Sequence, residues 1–283
     1  MGNVLITADS PCDLGESLQS RYQLHYYPYH IILDGKEYTD GVDITPDDLF
    51  KVYRERKLLP KTAAIGIGEY MDFLRPLVEQ GFEIVHFCLG SALSAAYQNC
   101  CAAAEELGHV YPVDARSLST GIGLQVIEAS EMARTGLSAA EIQAEAKKLA
   151  DRSHASFILD TLEFMHAGGR CSTVAALGAN LLKLKPCIEV HPEKNGAMEV
   201  GKKYRGDLKK VLVQYTKDTL NRDDLQLDRV FITHSGISQE YIDLVRDTII
   251  SCADFQEIHV TRASCTISCH CGPNTLGVLF LTK

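Results

Sequence analysis

Phe82-Glu83-Ile84-Val85-His86-Phe87-Cys88-Leu89, then Gly90-Ser91-Ala92-Leu93-Ser94, then Ala95-Ala96-Tyr97-Gln98-Asn99-Cys100-Cys101-Ala102-Ala103-Ala104-Glu105-Glu106-Leu107: these consecutive pieces decide the fold class. The first is a nearly unbroken apolar run, the pattern of a buried strand. The last is alanine-rich and reads as a helix. Glycine and serines mark the turn between them. A helix N-terminus leaves backbone N–H groups unpaired and carries partial positive charge, so this turn is a receptor for a carboxylate or phosphate. On this segment alone, Ser91 or Ser94 reads equally as a plain helix cap.

Outward from that segment the same alternation continues. Val4 to Ala8 reads as a strand, followed by a helix from about Asp13, and Tyr26 to Leu33 is extended. Thr45-Pro46-Asp47-Asp48 opens a helix, with threonine as cap, proline at the first position and acids in the first turn. Glu69 to Gln80 reads as a helix, Val110 to Val113 as a strand, and a long helix starts at Ser117 or Ser119. Ser138-Ala139-Ala140-Glu141 is a capping box. Strands and helices in this order imply a parallel sheet covered on both faces. Beyond Ser156 the texture changes. Short helices carry Leu162, Phe164 and Met165, then Val174, Leu177 and Leu181, and strands at Pro186 to His191 and Met198 to Lys203 flank a hairpin turn at Glu193-Lys194-Asn195-Gly196. The expectation is an α/β chain of two domains. Residues 1–155 form a parallel-sheet α/β/α unit, and residues 156–283 an α/β unit with a mixed sheet.

The 283 residues suffice for two cores, and a net charge of -9 argues against non-specific nucleic-acid binding, which needs a basic face. No apolar run approaches a membrane span, so stable membrane insertion is not expected. The N-terminus lacks the basic start and long apolar core of a signal peptide, which leads us to expect a cytoplasmic protein. Ten cysteines are many for such a chain, but none has Cys-x-x-Cys spacing and several lie in apolar runs, where cysteine packs as a small hydrophobe. Cys265-Thr266-Ile267-Ser268-Cys269-His270-Cys271, taken as a strand, sets three cysteines on one face and the histidine on the other. That is a poor arrangement for tetrahedral zinc, and no metal is expected.

No phosphate-binding G-x-x-x-x-G-K-[ST], no completed G-x-G-x-x-G, no H-E-x-x-H and no G-x-S-x-G is present. What remains is a set of hydroxyl side chains at element junctions: Ser10, Thr62, Ser91, Ser94, Ser117, Ser119 and Thr120. In an open α/β sheet these junctions gather at the carboxyl ends of the strands, where ligands bind. Hydroxyls and helix N-termini without a dedicated base suit holding an anionic head group better than attacking one.

Six segments in order carry a resemblance. They are Ile6-Thr7-Ala8-Asp9-Ser10-Pro11-Cys12-Asp13-Leu14, Gly90 through Gln98, Asp114 through Gly123, Asp160 through Arg170, Lys185-Pro186 with Tyr204-Arg205, and His270-Cys271-Gly272-Pro273-Asn274-Thr275-Leu276-Gly277. Together they resemble the DegV family of bacterial fatty-acid-binding proteins, nearly end to end. The resemblance implies a two-domain fold with a long-chain fatty acid buried between the domains. It implies carboxylate binding by Thr62 and Ser94 with His270 near the head group, and no cofactor. Ser91, Ser119, Arg205 and Arg170 are implied as further head-group or partner contacts. It also implies a lipid-binding protein, not itself an enzyme, that presents the carboxylate to a separate fatty acid kinase, which makes the acyl-phosphate.

The chain departs from the family pattern in places. The T-S-Q-P-S loop reads Thr62-Ala63-Ala64-Ile65-Gly66, S-G-T reads Ser94-Ala95-Ala96, and Asn274 replaces a glycine. Two alternatives stand beside the lipid reading. One is a serine-dependent acyl hydrolase with Ser94 as nucleophile and His270 as base, which lacks an identifiable orienting acid. The other is the substrate-holding subunit of a small-molecule kinase of the dihydroxyacetone type. A long acyl chain gains about 0.8 kcal/mol per buried methylene from an unadorned tunnel, so chain length leaves no motif to read.

Overall fold

The computed structural model describes residues 3–175 and 184–283. The N-terminal half is built on β1 (Val4–Asp9), α1 (Gly15–Tyr22), β2 (His25–Tyr27), β3 (His30–Leu33), β4 (Lys36–Thr39), α2 (Pro46–Arg56), β5 (Lys61–Ala63), α3 (Ile67–Glu79) and β6 (Glu83–Cys88). It continues through α4 (Ala96–Leu107), β7 (Val110–Asp114), α5 (Thr120–Arg134) and α6 (Ala139–Arg152). A four-stranded sheet runs in the order β2-β1-β6-β7 and is wholly parallel. Helices α3 and α4 pack on β6 and β7, while α5 and α6 also lie against the sheet. A separate antiparallel sheet, β4-β3-β5, brings Thr62 beside Ile31.

The C-terminal half comprises β8 (Ser153–Ile158), α7 (Glu163–Gly168), α8 (Ser172–Ala175), β9 (Leu184–His191), β10 (Ala197–Arg205), α9 (Leu208–Leu220), β11 (Leu225–His234), α10 (Gln239–Cys252), β12 (Glu257–Arg262), α11 (Cys265–Cys271) and β13 (Leu276–Thr282). Its six strands follow the order β10-β9-β8-β13-β11-β12, antiparallel except for β11 with β12. The sheet is therefore mixed, as expected. Residue 155 falls inside β8, and Leu177 and Leu181 lie outside the described residues. Among the described residues no helix is long and apolar enough to cross a membrane.

Both capping boxes form, Thr45 with Asp48 and Ser138 with Glu141. Helix α5 shows what joins the halves. It packs on β1 of the parallel sheet and on β8 and β13 of the mixed sheet. Its first two turns are buried on every side, the expected state of a helix held between two layers. That close approach requires glycine, since a Cβ at Gly123 would lie 2.5 Å from a Leu14 methyl carbon.

Three expectations are corrected. Helix α1 begins at Gly15, because Asp13 sits in a left-handed turn at φ 54°. Helix α4 starts at Ala96 with Ala95 at its cap position, so Ser94 stands one residue outside; its Oγ still accepts the Ala96 N–H at 3.2 Å. Cys265–Cys271 is a helix, not a strand. Its N-terminus is satisfied by a distant group: the buried Asp40 carboxylate accepts N–H bonds from Cys265 (2.8 Å) and Thr266 (3.2 Å). The β-favouring side chains of this segment are overridden by that tertiary contact. As a helix it turns Cys265 and Cys269 toward Ile31, Leu33 and Leu49, and Ile267 and Cys271 into the main core.

Candidate functional site

The loop from Gly90 to Ser94 is fixed from below and from the side. Beneath it, the buried Asp9 carboxylate accepts bonds from Tyr70 Oη (2.7 Å), His86 Nε2 (3.0 Å) and the Leu89 N–H (3.1 Å). From the side, the β9–β10 hairpin turn donates no side chain but offers the Asn195 carbonyl, which accepts the Ala92 N–H at 3.1 Å. A Cβ at Gly90 would meet that carbonyl oxygen at 3.1 Å and the Ser117 backbone at 3.2 Å, which accounts for the glycine. Ser94 is thus carried on a turn clamped by both halves of the chain.

Ser94 opens onto a cavity of about 190 Å³ that Thr62, His270 and Arg170 also line. Its other walls are mainly apolar, among them Leu89, Leu93, Leu118 and Met198. A smaller cavity of about 20 Å³ shares Leu118, Ile267 and Cys271 with the first and ends at Phe157 and Leu279. Both touch α11 through Ile267 and Cys271, and Ser119, Thr233, His234, Ser235 and Thr275 also line the second. Among the described residues, Arg170 is the only charged side chain that lines the first cavity. Its guanidinium donates, among the described residues, to the carbonyls of Gly168 (2.7 Å) and Leu93 (3.4 Å), two of its five donors.

Thr62 and His270, 208 residues apart in sequence, meet through Thr62 Oγ1 and His270 Nε2 at 2.9 Å. Burial, with the charge of Arg170 second, lowers the His270 pKa to about 4, so the ring is neutral at pH 7. Among the described residues its Nδ1 has no hydrogen-bond partner, and it lies against Gly168, where a Cβ would come within 2.2 Å. A hydrogen on Nδ1 would be driven into the glycine Cα–H, whereas a bare lone pair tolerates that contact. The geometry therefore assigns the ring proton to Nε2, which donates to Thr62 and leaves the threonine O–H free to donate in turn.

Tyr29, which carries no sequence signal beyond an apolar extended run, also lines the cavity and donates its hydroxyl to Ser94 Oγ at 3.0 Å. Burial raises its pKa well above the ordinary phenol value, so it stays protonated. Ser10 accepts the Tyr29 N–H at 3.1 Å and donates to Asp40 at 2.9 Å, which gives the opening motif a positioning task.

The remaining expected contacts do not line the first cavity, although Ser119 lines the second. Ser91 bonds Asp114 through both its amide and its hydroxyl. Ser119 is buried at φ 52° and donates to Asp13, whose pKa burial raises to about 7. Arg205 is exposed at the end of β10 and lines neither cavity. Asn274 stands at φ 58°, the conformation that favours glycine, and its amide donates to Asp160 at 3.0 Å, so the substitution retains the turn.

Neither cysteine-rich feature makes a metal site. On α11, Cys265 and Cys269 face away from His270 and into a different apolar cluster. Buried His86, Cys88 and Cys100 do converge, but both ring nitrogens of His86 are engaged, with Thr7 Oγ1 at 2.7 Å and with Asp9. The hydrolase arrangement is also missing its links: His270 bonds Thr62, not Ser94, and its far nitrogen meets a glycine, not an acid.

A protein-family model described as "Uncharacterised protein, DegV family" matches residues 3–283. A DegV domain-containing protein of Caldanaerobacter subterraneus subsp. tengcongensis is 28% identical over 287 residues, covering 100% of both chains. A solved structure described as "Fatty Acid Binding of a DegV family Protein from Thermus thermophilus" superposes with a TM-score of 0.88 at 26% identity, covering 99% of this chain and 100% of that one. A stearic acid-binding protein from Eubacterium ventriosum superposes with a TM-score of 0.84 at 25% identity, covering 100% of this chain and 99% of that one.

Proposed function

The chain belongs to the DegV family, and from that premise we propose that it binds a long-chain fatty acid and presents the carboxylate to a separate fatty acid kinase. The observation that carries the reading is the asymmetry of the cavity. One end has two hydroxyls and a single arginine, and the walls beyond are mainly apolar at Leu118, Ile267, Cys271, Phe157 and Leu279, although Ser119, Thr233, His234, Ser235 and Thr275 also line the smaller cavity. A carboxylate accepts from all three donors, and the acyl chain follows Leu118, Ile267 and Cys271 toward Phe157. Thr62 and Ser94 are the carboxylate ligands in this proposal, with His270 behind Thr62 and Arg170 supplying the positive charge. Ser91, Ser119 and Arg205 have no head-group role in it. The residues bring no nucleotide motif, so phosphoryl transfer falls to the partner. The two-domain division belongs to the same proposal, with the boundary where α6 ends at Arg152.

Two experiments test this. Protein purified from a lipid-containing host is denatured and its released ligand identified by mass spectrometry. A near-stoichiometric fatty acid is expected, and a polar metabolite with no lipid would sink the binding class. The presentation step is read by acyl-phosphate formation from oleate, ATP and a fatty acid kinase, with and without this chain. Equal product in both would remove the partner role while leaving lipid binding intact.

A further inference from the structure

We infer that Tyr29 is a positioning residue that turns Ser94 into an obligate donor and so makes the head-group site select an ionised carboxylate over an uncharged alcohol. This rests on the fatty-acid reading above and extends it to specificity. A hydroxyl oxygen has two lone pairs and one proton. On Ser94 both lone pairs are taken, one by the Ala96 N–H at 3.2 Å and one by the Tyr29 hydroxyl at 3.0 Å. No described residue accepts the Ser94 proton, which is left for the cavity. Without the tyrosine, Ser94 would keep a lone pair open and its hydroxyl would turn to suit either kind of ligand.

The tyrosine itself has little freedom. The residue is 2% exposed, and its backbone N–H is held by Ser10. The Asp9 carboxylate also lies close enough to act on the Tyr29 hydroxyl, but it already accepts from Tyr70, His86 and Leu89, and the hydrogen bond that Tyr29 makes runs to Ser94 Oγ at 3.0 Å. Across the cavity His270 sets the Thr62 proton free in the same way. The rim thus meets a ligand with two O–H donors and a guanidinium. An ionised carboxylate satisfies them without bringing a proton of its own, and charge-assisted bonds are about twice as strong as neutral ones. An alcohol brings a proton for which Ser94 has no place.

The test compares delipidated wild-type protein with Tyr29→Phe, titrated separately with oleate and with oleyl alcohol. The phenylalanine keeps the ring and removes only the donor. Wild type is expected to favour oleate by roughly a hundredfold. In Tyr29→Phe that ratio should fall about tenfold, oleate weakening while the alcohol holds or improves. In a Ser94→Ala background the same change should leave the ratio unmoved, because the tyrosine acts through the serine. A loss shared equally by both ligands, or a ratio shift that persists in Ser94→Ala, overturns the inference. Wild type that binds neither probe overturns the fatty-acid reading and the inference with it. Wild type and Tyr29→Phe with the same high oleate preference overturn the tyrosine's role alone.

Discussion

Gly168→Ala is a one-carbon change whose sign depends on the imidazole opposite it. A Cβ built on Gly168 would lie 2.2 Å from His270 Nδ1 and 3.1 Å from its Cε1. Ordinary contact begins near 3.4 Å, so ring or helix must give by about 1.2 Å. The ring cannot retreat along that line, because Thr62 Oγ1 stands 2.9 Å from Nε2 on its other side. It must swing out of line and forfeit the Thr62 bond. Overpacking of this kind costs about 1–3 kcal/mol. Alanine in place of glycine returns at most about 1 kcal/mol of helix propensity, and less at the last residue of α7. The net loss of about 1–2 kcal/mol should lower Tm by about 2–6 °C in a chain of this size, and oleate affinity should fall about tenfold as the Thr62 proton loses its direction. The assay is thermal unfolding with oleate titration, in wild type and in His270→Ala. With the imidazole gone the clash is gone, and Gly168→Ala should turn neutral or mildly stabilising. Equal destabilisation in both backgrounds, or none in wild type, would refute the assigned packing of His270 against Gly168.

Thr62→Ala and Ser94→Ala should each weaken oleate binding by about 10–100-fold, since a hydrogen bond to a charged group contributes about 1.5–3 kcal/mol, with unfolding midpoints little changed; calorimetric titration decides this, and unchanged affinity in both variants would remove them as ligands. His270 should leave oleate affinity flat between pH 8 and 6, because its ring is neutral throughout with a folded pKa of about 4. Its effect on stability has the opposite dependence on acid: the unfolded ring protonates near 6.5, before the folded one, so its contribution is full above that value and is lost as pH falls toward 4. Urea unfolding of wild type against His270→Gln at pH 7 and 5 measures it, and a gap that widens in acid would contradict the sign. Ile267→Phe narrows the wall shared by the two cavities and should spare decanoate while costing oleate about fourfold for each methylene excluded; equal losses for both acids in competition titrations would place the acyl chain elsewhere.

Much of this architecture is written locally. The Phe82 strand feeding the Ala96 helix, the capping boxes at Thr45 and Ser138 and the hairpin turn at Asn195-Gly196 each rest on neighbours within a few residues, so periodicity and turn chemistry reveal them. Thr62, Ser94, Arg170 and His270, which the family resemblance implies as contacts, line one cavity. Ser91, Ser119 and Arg205, implied only as further head-group or partner contacts, do not line that cavity, and Ser119 lines the second. Their hydroxyls and charge look identical in sequence, and only Asp114 and Asp13, brought in from other elements, divert the two serines. The helix at Cys265–Cys271 carries one local signal, Ser264, whose hydroxyl caps the Ile267 N–H, but the N–H groups of Cys265 and Thr266 are met by Asp40, more than two hundred residues away. Tyr29 carries no such signal. Residue type determines that a hydroxyl is able to donate or accept. Which of the two it does depends on whether its lone pairs are already filled, and the groups that fill them arrive through the tertiary fold.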